Sequence, residues 1–151
     1  MPRRDIDPYA SFRFILEIGN IKSGGFSECA GLQMEVKAFE YKEGGNNKTT
    51  LKFPEHASYG NVTLKRGVTA SNDLINWQLQ ISQAGLDNRQ VARRDFAIIL
   101  RDEAGKDVRR WNLIRAFPVK WMGPDLKANA SEIAIESLEI AHEGIQIINQ
   151  I

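Results

Sequence analysis

Three side chains in this sequence are of the types that enzymes use for nucleophilic or metal chemistry: Cys29, His56 and His142. Cys29 would act as a nucleophile if a histidine lay close enough to take its proton. A zinc site needs further ligands at recognised spacings, and neither histidine has such a ligand nearby in sequence. "HEGIQ" at 142–146 lacks the second histidine of a zinc-protease helix. We therefore expect no catalytic residue, metal site or cofactor, and interpret Cys29 as a small buried residue.

A second cluster could bind nucleic acid, because arginines and an aromatic residue crowd into one stretch of the chain. Acidic residues are interleaved with them, so a solvated or subunit-pairing face is the favoured interpretation. Specific binding of nucleic acid is not expected, and a salt-dependent affinity for oligonucleotides would support the alternative. The basic and aromatic residues are Arg89, Arg93, Arg94, Arg109, Arg110, Trp111 and Arg115, and the acids are Asp87, Asp95, Asp102, Glu103 and Asp107.

Length and composition limit the class of protein. The chain has 151 residues, a formal net charge of +1, and apolar and charged fractions of 42% and 26%. We expect one domain over residues 1–151 with a core of its own. The net charge is too small to attract nucleic acid or membranes. No run reaches the roughly 18 apolar residues of a membrane span, so the monomer is not expected to bind membranes. One cysteine fits assembly in the reducing cytoplasm.

The hydrophobic pattern predicts a mainly β chain, arranged as a small barrel or sandwich with one flanking helix. Strand-forming residues dominate 12–18, and apolar and polar residues alternate over 33–38 and 61–68. The alternation over 33–38 predicts a half-buried strand with one face exposed to solvent. The stretch 91–121 predicts two strands around a turn at 103–106.

The remaining elements are a helix and a last long strand. Residues 71–85 predict a helix, with Ser71 or Asn72 at its start and Gly85 after its end, although their apolar residues also alternate as in a strand. Residues 131–144 predict the strand, with a bulge near Glu136–Ser137 where the apolar phase slips. Four aromatic residues are expected to be largely buried: Trp77, Trp111, Phe117 and Trp121.

The polar stretch between the strands at 33–38 and 61–68 is far longer than the about two to five residues of a tight hairpin. Long structureless loops are uncommon in compact domains and are usually functional. From the residues alone, a mobile surface loop is the favoured interpretation.

Six stretches, in order along nearly the whole chain, resemble the inner tail-tube proteins of contractile phage tails and contractile injection systems. They are "DPYASFRFILEI" (7–18), "GGFSECAGL" (24–32), "EYKEGGNN" (40–47), "NVTLKRGV" (61–68), "RRWNLIRAFPVKWMGPDL" (109–126) and "EIAIESLEIAHEGI" (132–145). More distantly, the chain resembles the tube protein of type VI secretion. It departs from the family pattern at Glu55-His56, where a glycine commonly follows the proline, and at Cys29, where a valine is common.

The resemblance implies a structural protein without enzymatic activity. Six copies would form a ring around a wide lumen, and stacked rings would make a tube that a contracting sheath drives through a target envelope. The implied partners are further copies of the chain, the sheath, baseplate and cap proteins of the particle, and cargo or a tape-measure protein in the lumen.

The resemblance also implies two functional surfaces. An extended arm at about 43–59 would pack on a neighbouring ring, and its candidate residues are Glu43, Gly44, Gly45, Asn46, Asn47, Lys48, Lys52 and Tyr59. A mixed-charge face would line the lumen, and its candidates are Glu35, Lys37, Thr63, Lys65, Glu132 and Glu136.

Three alternatives remain open from the sequence. The chain could be a paralogue that initiates the tube in the baseplate. It could be a nucleic-acid-binding β-barrel that uses the arginine-rich strands. It could be an enzyme with Cys29 as nucleophile, which loss of an activity in a Cys29→Ser variant would support.

Overall fold

The structure is a computed structural model, and it describes residues 14–19, 21–23, 25–42, 44–45, 49–84, 94–129 and 131–149. Within these ranges the chain forms β1 (Phe14–Ile18), β2 (Ile21–Ser23), β3 (Phe26–Ala30), β4 (Met34–Tyr41), β5 (Leu51–Tyr59), β6 (Val62–Gly67), α1 (Asp73–Gln83), β7 (Arg94–Arg101), β8 (Asp107–Met122), β9 (Ile135–Ala141) and β10 (Gly144–Asn149). The predicted mainly β fold with one helix is confirmed. No helix in these ranges is long and apolar enough to cross a membrane.

Two antiparallel sheets share the long strand β8. In the first sheet the order is β2-β1-β7-β8, and β10 also pairs with β8. In the second sheet the order is β8-β9-β6-β3. β4 and β5 form a separate two-stranded sheet. Side chains of both large sheets meet in one core, so the two sheets pack face to face as in a sandwich.

The chain turns from one large sheet into the other at a corner in β8. Ile114 lies opposite Gly144 in the first sheet, and Phe117 lies opposite Ala141 in the second. The same register therefore continues across the corner. Arg115, at the corner, has a φ of 52°, in the left-handed region that non-glycine residues rarely adopt.

The core lies between the two large sheets and under α1. Trp77 of α1 is 1% exposed and stacks on Phe96 of β7, with ring centroids 6.2 Å apart. The prediction of burial is confirmed for Trp77, whereas Trp111, Phe117 and Trp121 are only half-buried. The buried cluster comprises Leu16, Ile18, Phe26, Val62, Leu64, Leu74, Trp77, Phe96, Ile98, Leu113, Ala116, Leu138 and Ile140.

The predicted helix and the predicted turn at 103–106 are both present. Asn72 occupies the N-cap position of α1, but its side chain makes no capping hydrogen bond. Gly85 lies outside the described residues. In the turn, the Asp102 carboxylate accepts hydrogen bonds from the backbone N–H groups of Ala104 and Lys106 at 3.0 and 2.9 Å. A side-chain acceptor at the first turn position is the usual way to hold such a bend.

The predicted bulge near Glu136–Ser137 is wrong. β9 begins only at Ile135 and keeps an unbroken register with β6. The apparent phase slip arises because Ile133 precedes the strand and Ile135, its first residue, lies on the exposed face. An irregularity lies instead in β8, between Pro118 and Lys120. Proline has no N–H to donate to the ladder, so a bulge is one of the few places where a paired strand accommodates it.

Candidate assembly surfaces

β4 and β5 form an exposed hairpin, called the arm below (residues 34–59). Every residue of β4 is exposed in the single chain, so the prediction of a half-buried strand over 33–38 is wrong. Six large apolar side chains of the arm are exposed: Met34, Val36, Phe39, Tyr41, Leu51 and Phe53. A strand with apolar side chains and no cover on either face is unusual in a monomer and marks a binding surface.

A bulge divides the arm into two halves. Val36 lies opposite Ala57 and Ala38 lies opposite Pro54, so two residues of β5, at 55–56, face one residue of β4. These two are Glu55 and His56. A bulge increases local twist, and the apolar side chains change faces there.

The distal half of the arm has one apolar face. Phe39 lies opposite Phe53, and Tyr41 lies opposite Leu51. Because side chains alternate along a strand, these four residues share a face, called the distal apolar face below. Phe39 and Phe53 are 52% and 51% exposed, so about half of each ring remains available to a partner.

The base of the arm is held firmly to the second sheet. Gly31 has a φ of 96°, and a Cβ atom there would lie 2.2 Å from the Asn61 carbonyl oxygen, so no other residue fits. The His142 ring nitrogens lie 3.1 Å from the Gly144 carbonyl oxygen and 3.0 Å from that of Gly60. These contacts fix the arm where it leaves the sheet, so its direction is set by the fold.

The predicted arm residues are distributed along this hairpin. Tyr59 lies at the base, where its ring is 5.6 Å from that of His142. Lys52 lies on β5 opposite Glu40. Gly44 and Gly45 form a turn at the tip. The other four, Glu43, Asn46, Asn47 and Lys48, lie outside the described residues.

Sequence reasoning missed that the strand at 33–38 belongs to the arm. The signal was present in "AFEY" at 38–41. Phe39 and Tyr41 occupy odd positions, whereas Met34 and Val36 occupy even positions, so the two pairs lie on opposite faces of the strand. A strand whose apolar residues change parity exposes apolar surface on both faces unless another chain covers it.

The outward face of the second sheet is mainly polar and carries both signs of charge. Lys65 Nζ lies 3.4 Å from Glu28 Oε2, and Asn61 Nδ2 donates to Glu139 Oε1 at 2.9 Å. Lys120 lies opposite Glu139 in the register. The residues of this outward face are Glu28, Ala30, Thr63, Lys65, Lys120, Ser137 and Glu139, with the exposed apolar residues Met122 and Ile135 at one end of it.

The predicted lumen residues do not share one surface. Thr63 and Lys65 lie on the outward face of the second sheet, while Glu35 and Lys37 lie on the arm. Glu132 is exposed in the segment that precedes β9. The prediction for Glu136 is wrong, because its side chain points into the core and is buried.

A buried charge cluster explains the burial of Glu136. Arg66 Nε donates to Glu136 Oε1 at 2.7 Å, and Trp121 Nε1 donates to Glu136 Oε2 at 3.2 Å. The Arg66 guanidinium also pairs with Asp73 at the start of α1 and lies over the Phe26 ring. Burial disfavours the charged form of Arg66, but hydrogen bonds and charges from the two carboxylates outweigh it and raise the pKa. The cluster joins β6, β8, β9 and α1.

The second sheet ends in strand edges that another chain could extend. Among the described strands, β3 pairs with β6 alone. The part of β8 from Phe117 to Met122 pairs with β9 on one side, and no described strand is paired on its other side. Unpaired edges with regular backbone are templates for strand addition.

Cys29 has the surroundings of a structural residue. It is half-buried and packs against the core. Burial, and to a smaller extent the charge of Glu28, raise the pKa of the Cys29 thiol to about 12. A thiol with this pKa stays protonated at neutral pH and is a poor nucleophile. No group of three or more His, Cys, Asp or Glu side chains in the described ranges could hold a metal ion.

Two of the arginines that suggested nucleic-acid binding are ion-paired. Arg110 Nη1 lies 3.0 Å from Glu17 Oε2, and Arg115 Nε lies 3.0 Å from Glu143 Oε2. Arg101, nearby on β7, pairs with Asp107 at 2.9 Å. Arg89 and Arg93 lie outside the described residues. Charges neutralised in this way are less available to phosphates, which favours the interpretation of a solvated or subunit-pairing face.

Comparison with known proteins identifies a family that matches most of the chain. The profile of a family described as T4-like virus tail tube protein gp19 matches residues 10–146. Among the curated proteins, none matches the sequence.

Solved structures share the fold over nearly the whole chain. A chain of the anti-feeding prophage tube-terminating cap has a TM-score of 0.84 and 26% identity, covering 99% of this chain and 97% of that one. A chain from the sheath–tube complex of an extracellular contractile injection system has a TM-score of 0.83 and 27% identity, covering 97% and 95%. Hcp1 from Flavobacterium johnsoniae has a TM-score of 0.53 and 12% identity over 91% and 95%, a likeness of fold.

Proposed function

The chain belongs to the T4-like virus tail tube protein gp19 family, and from this premise we propose that six copies close into a ring and that rings stack into a hollow tube. It is a structural subunit of the tube of a phage tail or a phage-tail-like contractile injection system. The number six and the stacked tube are what the family resemblance implies. The unpaired strand edges and the exposed arm support assembly between copies.

Ring closure is assigned to the edges of the second sheet. The single observation that carries it is that both edges, β3 and the C-terminal part of β8, are unpaired among the described strands. Joining β3 of one copy to β8 of the next would extend the sheet around the ring. Two different patches meet in such a contact, so it is heterologous and can close into a ring.

The outward face of the second sheet is assigned to the lumen. Its charges are paired within the face, as in the contact between Lys65 and Glu28. Apart from Met122 and Ile135 at one end, this face offers polar or small side chains to a passing chain, so cargo or a tape-measure protein would adhere to it weakly.

The opposite side of the second sheet is then assigned to the sheath. Arg66 and Glu136 point away from the outward face, and Arg66 contacts Asp73 at the start of α1. α1 therefore lies on the side that would face out from the tube. Sheath, baseplate and cap proteins are the proposed partners, and the solved relatives come from complexes of this kind. Assembly in the cytoplasm is proposed with them.

Stacking of rings is assigned to the arm. Its apolar side chains are exposed on both faces, and its base is fixed to the second sheet by Gly31 and His142. An arm that extends from a fixed base can reach a second ring without changing the contacts within the first. Ring closure and stacking would then depend on different surfaces and fail separately.

The experiment is electron microscopy of the purified chain with a shortened-arm variant. Residues 37–56 are replaced by Asn-Gly, a two-residue turn that suits a hairpin between the paired residues Val36 and Ala57. Wild type is expected to form rings and long tubes, and the variant only rings, with an unchanged circular dichroism spectrum. A monomer of the wild type at high concentration would contradict the proposal. Single rings that never stack in the wild type would instead support a tube initiator.

A further inference from the structure

His142 lies in the turn between β9, which ends at Ala141, and β10, which begins at Gly144. Its side chain is half-buried, and each of its two ring nitrogens has a polar contact. Nδ1 lies 3.1 Å from the carbonyl oxygen of Gly144, and Nε2 lies 3.0 Å from the carbonyl oxygen of Gly60. Both distances are those of hydrogen bonds. The ring therefore bridges two turns that are far apart in sequence.

The two turns belong to different parts of the fold. Gly60 follows the last residue of the arm and precedes β6. The β9–β10 turn lies beside the corner of β8, where the Glu143 N–H donates to the Ile114 carbonyl at 2.9 Å. The His142 ring therefore ties the base of the arm to the corner at which the two large sheets meet.

The bridge has a carbonyl acceptor at each end, so it needs two donors on the ring. A neutral imidazole has a hydrogen on one nitrogen and a lone pair on the other, whereas both nitrogens of an imidazolium are donors. Neutral His142 can therefore donate to Gly60 or to Gly144, and its other nitrogen then faces an oxygen lone pair. Only protonated His142 can make both hydrogen bonds.

We propose that His142 is a proton-dependent latch on the base of the arm. When the ring is protonated, both nitrogens donate and the arm base is tied to the β8 corner. When the ring loses a proton, one hydrogen bond is lost in either tautomer, and the bridge opens at one end. Histidine is the side chain whose charge ordinarily changes between about pH 5 and 8, so the latch closes in weak acid and opens towards pH 8.

The latch adjusts the base of the arm and does not release it. The α-carbon of Gly31 packs against the Asn61 carbonyl, where a Cβ atom would lie 2.2 Å from the oxygen. This contact does not depend on a proton. Opening the latch therefore removes one charge-assisted hydrogen bond from a base that stays in place. The latch is a property of the single chain, so it goes beyond the proposed function and does not require rings or tubes.

Other charged and titratable groups surround the latch. The Glu143 carboxylate lies 3.0 Å from Arg115 Nε at the β8 corner, and Glu139 lies on β9. From the arm, the Tyr59 ring lies 5.6 Å from the His142 ring, and Glu35 lies on β4. These residue types do not ordinarily change charge between about pH 5 and 8. A response in this range is therefore assigned to a histidine.

The test compares two single-histidine variants by hydrogen exchange. The sequence contains two histidines, and His56, exposed on β5, provides the matched control. Protection is measured at about pH 5.5 and pH 8, relative to exchange of the same peptides in the unfolded chain. In wild type and His56→Gln, peptides covering 57–62 and 140–146 are expected to lose protection about fivefold at the higher pH, the equivalent of one net hydrogen bond. In His142→Gln their protection should not change with pH.

Equal protection at the two pH values in the wild type, or the same decrease in His142→Gln, would overturn the latch. Nitrogen-15 NMR of His56→Gln, in which His142 is the remaining histidine, tests it without altering the ring. Both ring nitrogens should carry a proton at about pH 5.5 and only one at about pH 8. An unchanged ring would overturn the latch even if His142→Gln fails to fold. Neither measurement depends on rings or tubes, so the proposed function is tested separately by electron microscopy.

Discussion

Arg66 and Glu136 form an ion pair inside the core, with Arg66 Nε 2.7 Å from Glu136 Oε1 and the two side chains only 5% and 8% exposed. The residues are 70 positions apart in sequence, and adjacent strands bring them together. The pair occupies the place where the alternating patterns of β6 and β9 would otherwise put apolar side chains. It explains why two charges can lie on the buried face of the second sheet.

Removing one partner of this pair is expected to destabilise the fold strongly. Glu136→Leu leaves the Arg66 guanidinium without its most buried carboxylate, and breaking a buried pair typically costs about 3–5 kcal/mol. The double variant Arg66→Met, Glu136→Leu should lose less, because the one carboxylate that it leaves unpaired, Asp73, is 36% exposed and remains partly solvated. Urea unfolding of the three proteins measures this. A single variant within about 0.5 kcal/mol of the wild type would contradict it.

The charge cluster also predicts loss of stability in acid. Burial alone would raise the pKa of Asp73, but hydrogen bonds from Arg66, Ser71 and the Leu74 N–H, with the charge of Arg66, hold it below its usual value. A carboxyl whose pKa is lowered by folding contributes stability above its unfolded pKa of about 4, and this is lost as pH falls through the folded pKa.

The free energy of unfolding is therefore expected to decrease as pH falls below about 4, where the unfolded carboxyl takes up its proton first. Asp73→Asn should flatten that part of the pH profile. Asp125→Asn, at an exposed position, serves as the control and should leave it unchanged. Equal pH profiles for wild type and Asp73→Asn would show that folding does not lower the pKa of Asp73.

Trp77 is expected to be the most costly truncation in α1. It is 1% exposed and stacks on Phe96, and removing a buried aromatic side chain typically costs about 3–5 kcal/mol. Leu79→Ala, on the exposed side of the same helix, controls for loss of an apolar side chain without burial. Thermal and urea unfolding distinguish the two. Unchanged folding of Trp77→Ala would mean that the helix does not pack on the sheet as described.

Cys29 is expected to react slowly with thiol reagents while the chain is folded. Its pKa is raised to about 12 by burial and by Glu28, so almost no thiolate is present at neutral pH. Labelling by a disulfide reagent should be fast in urea and at least tenfold slower in buffer, an order-of-magnitude expectation from the loss of thiolate. Equal rates in the two conditions would show that the thiol is accessible and ionised, and would revive a reactive role.

Charge reversal in the arm is expected to act mildly. Lys52 lies opposite Glu40, and Lys52→Glu would place like charges across the hairpin. Exposed pairs contribute only about 0–1 kcal/mol and are screened by salt. Tubes of this variant should be shorter at low salt and recover as salt is added. A loss of tubes as complete as in the shortened-arm variant, at all salt concentrations, would assign stacking to charge and not to the apolar face.

Several features of this protein were determined by the sequence alone. Val62 and Leu64 alternate with Thr63 and Lys65, and the structure buries the first two and leaves the others on the outward face. The helix, the turn at 103–106 and the family were likewise predictable. Alternation and turn residues act over a few positions, so they can be recognised from the sequence without knowledge of the fold.

Only the tertiary structure decided what covers each face. Alternation places residues on a common side of a strand, but the side that becomes buried depends on elements distant in sequence. The sequence pattern predicts that Glu136 is exposed to solvent, whereas in the structure Arg66 and Trp121 donate hydrogen bonds to its buried carboxylate. The sequence predicts that the strand at 33–38 is half-buried, whereas in the structure it pairs with β5 in a sheet separate from both large sheets. In each case the deciding neighbour comes from another strand, and local periodicity carries no information about that neighbour.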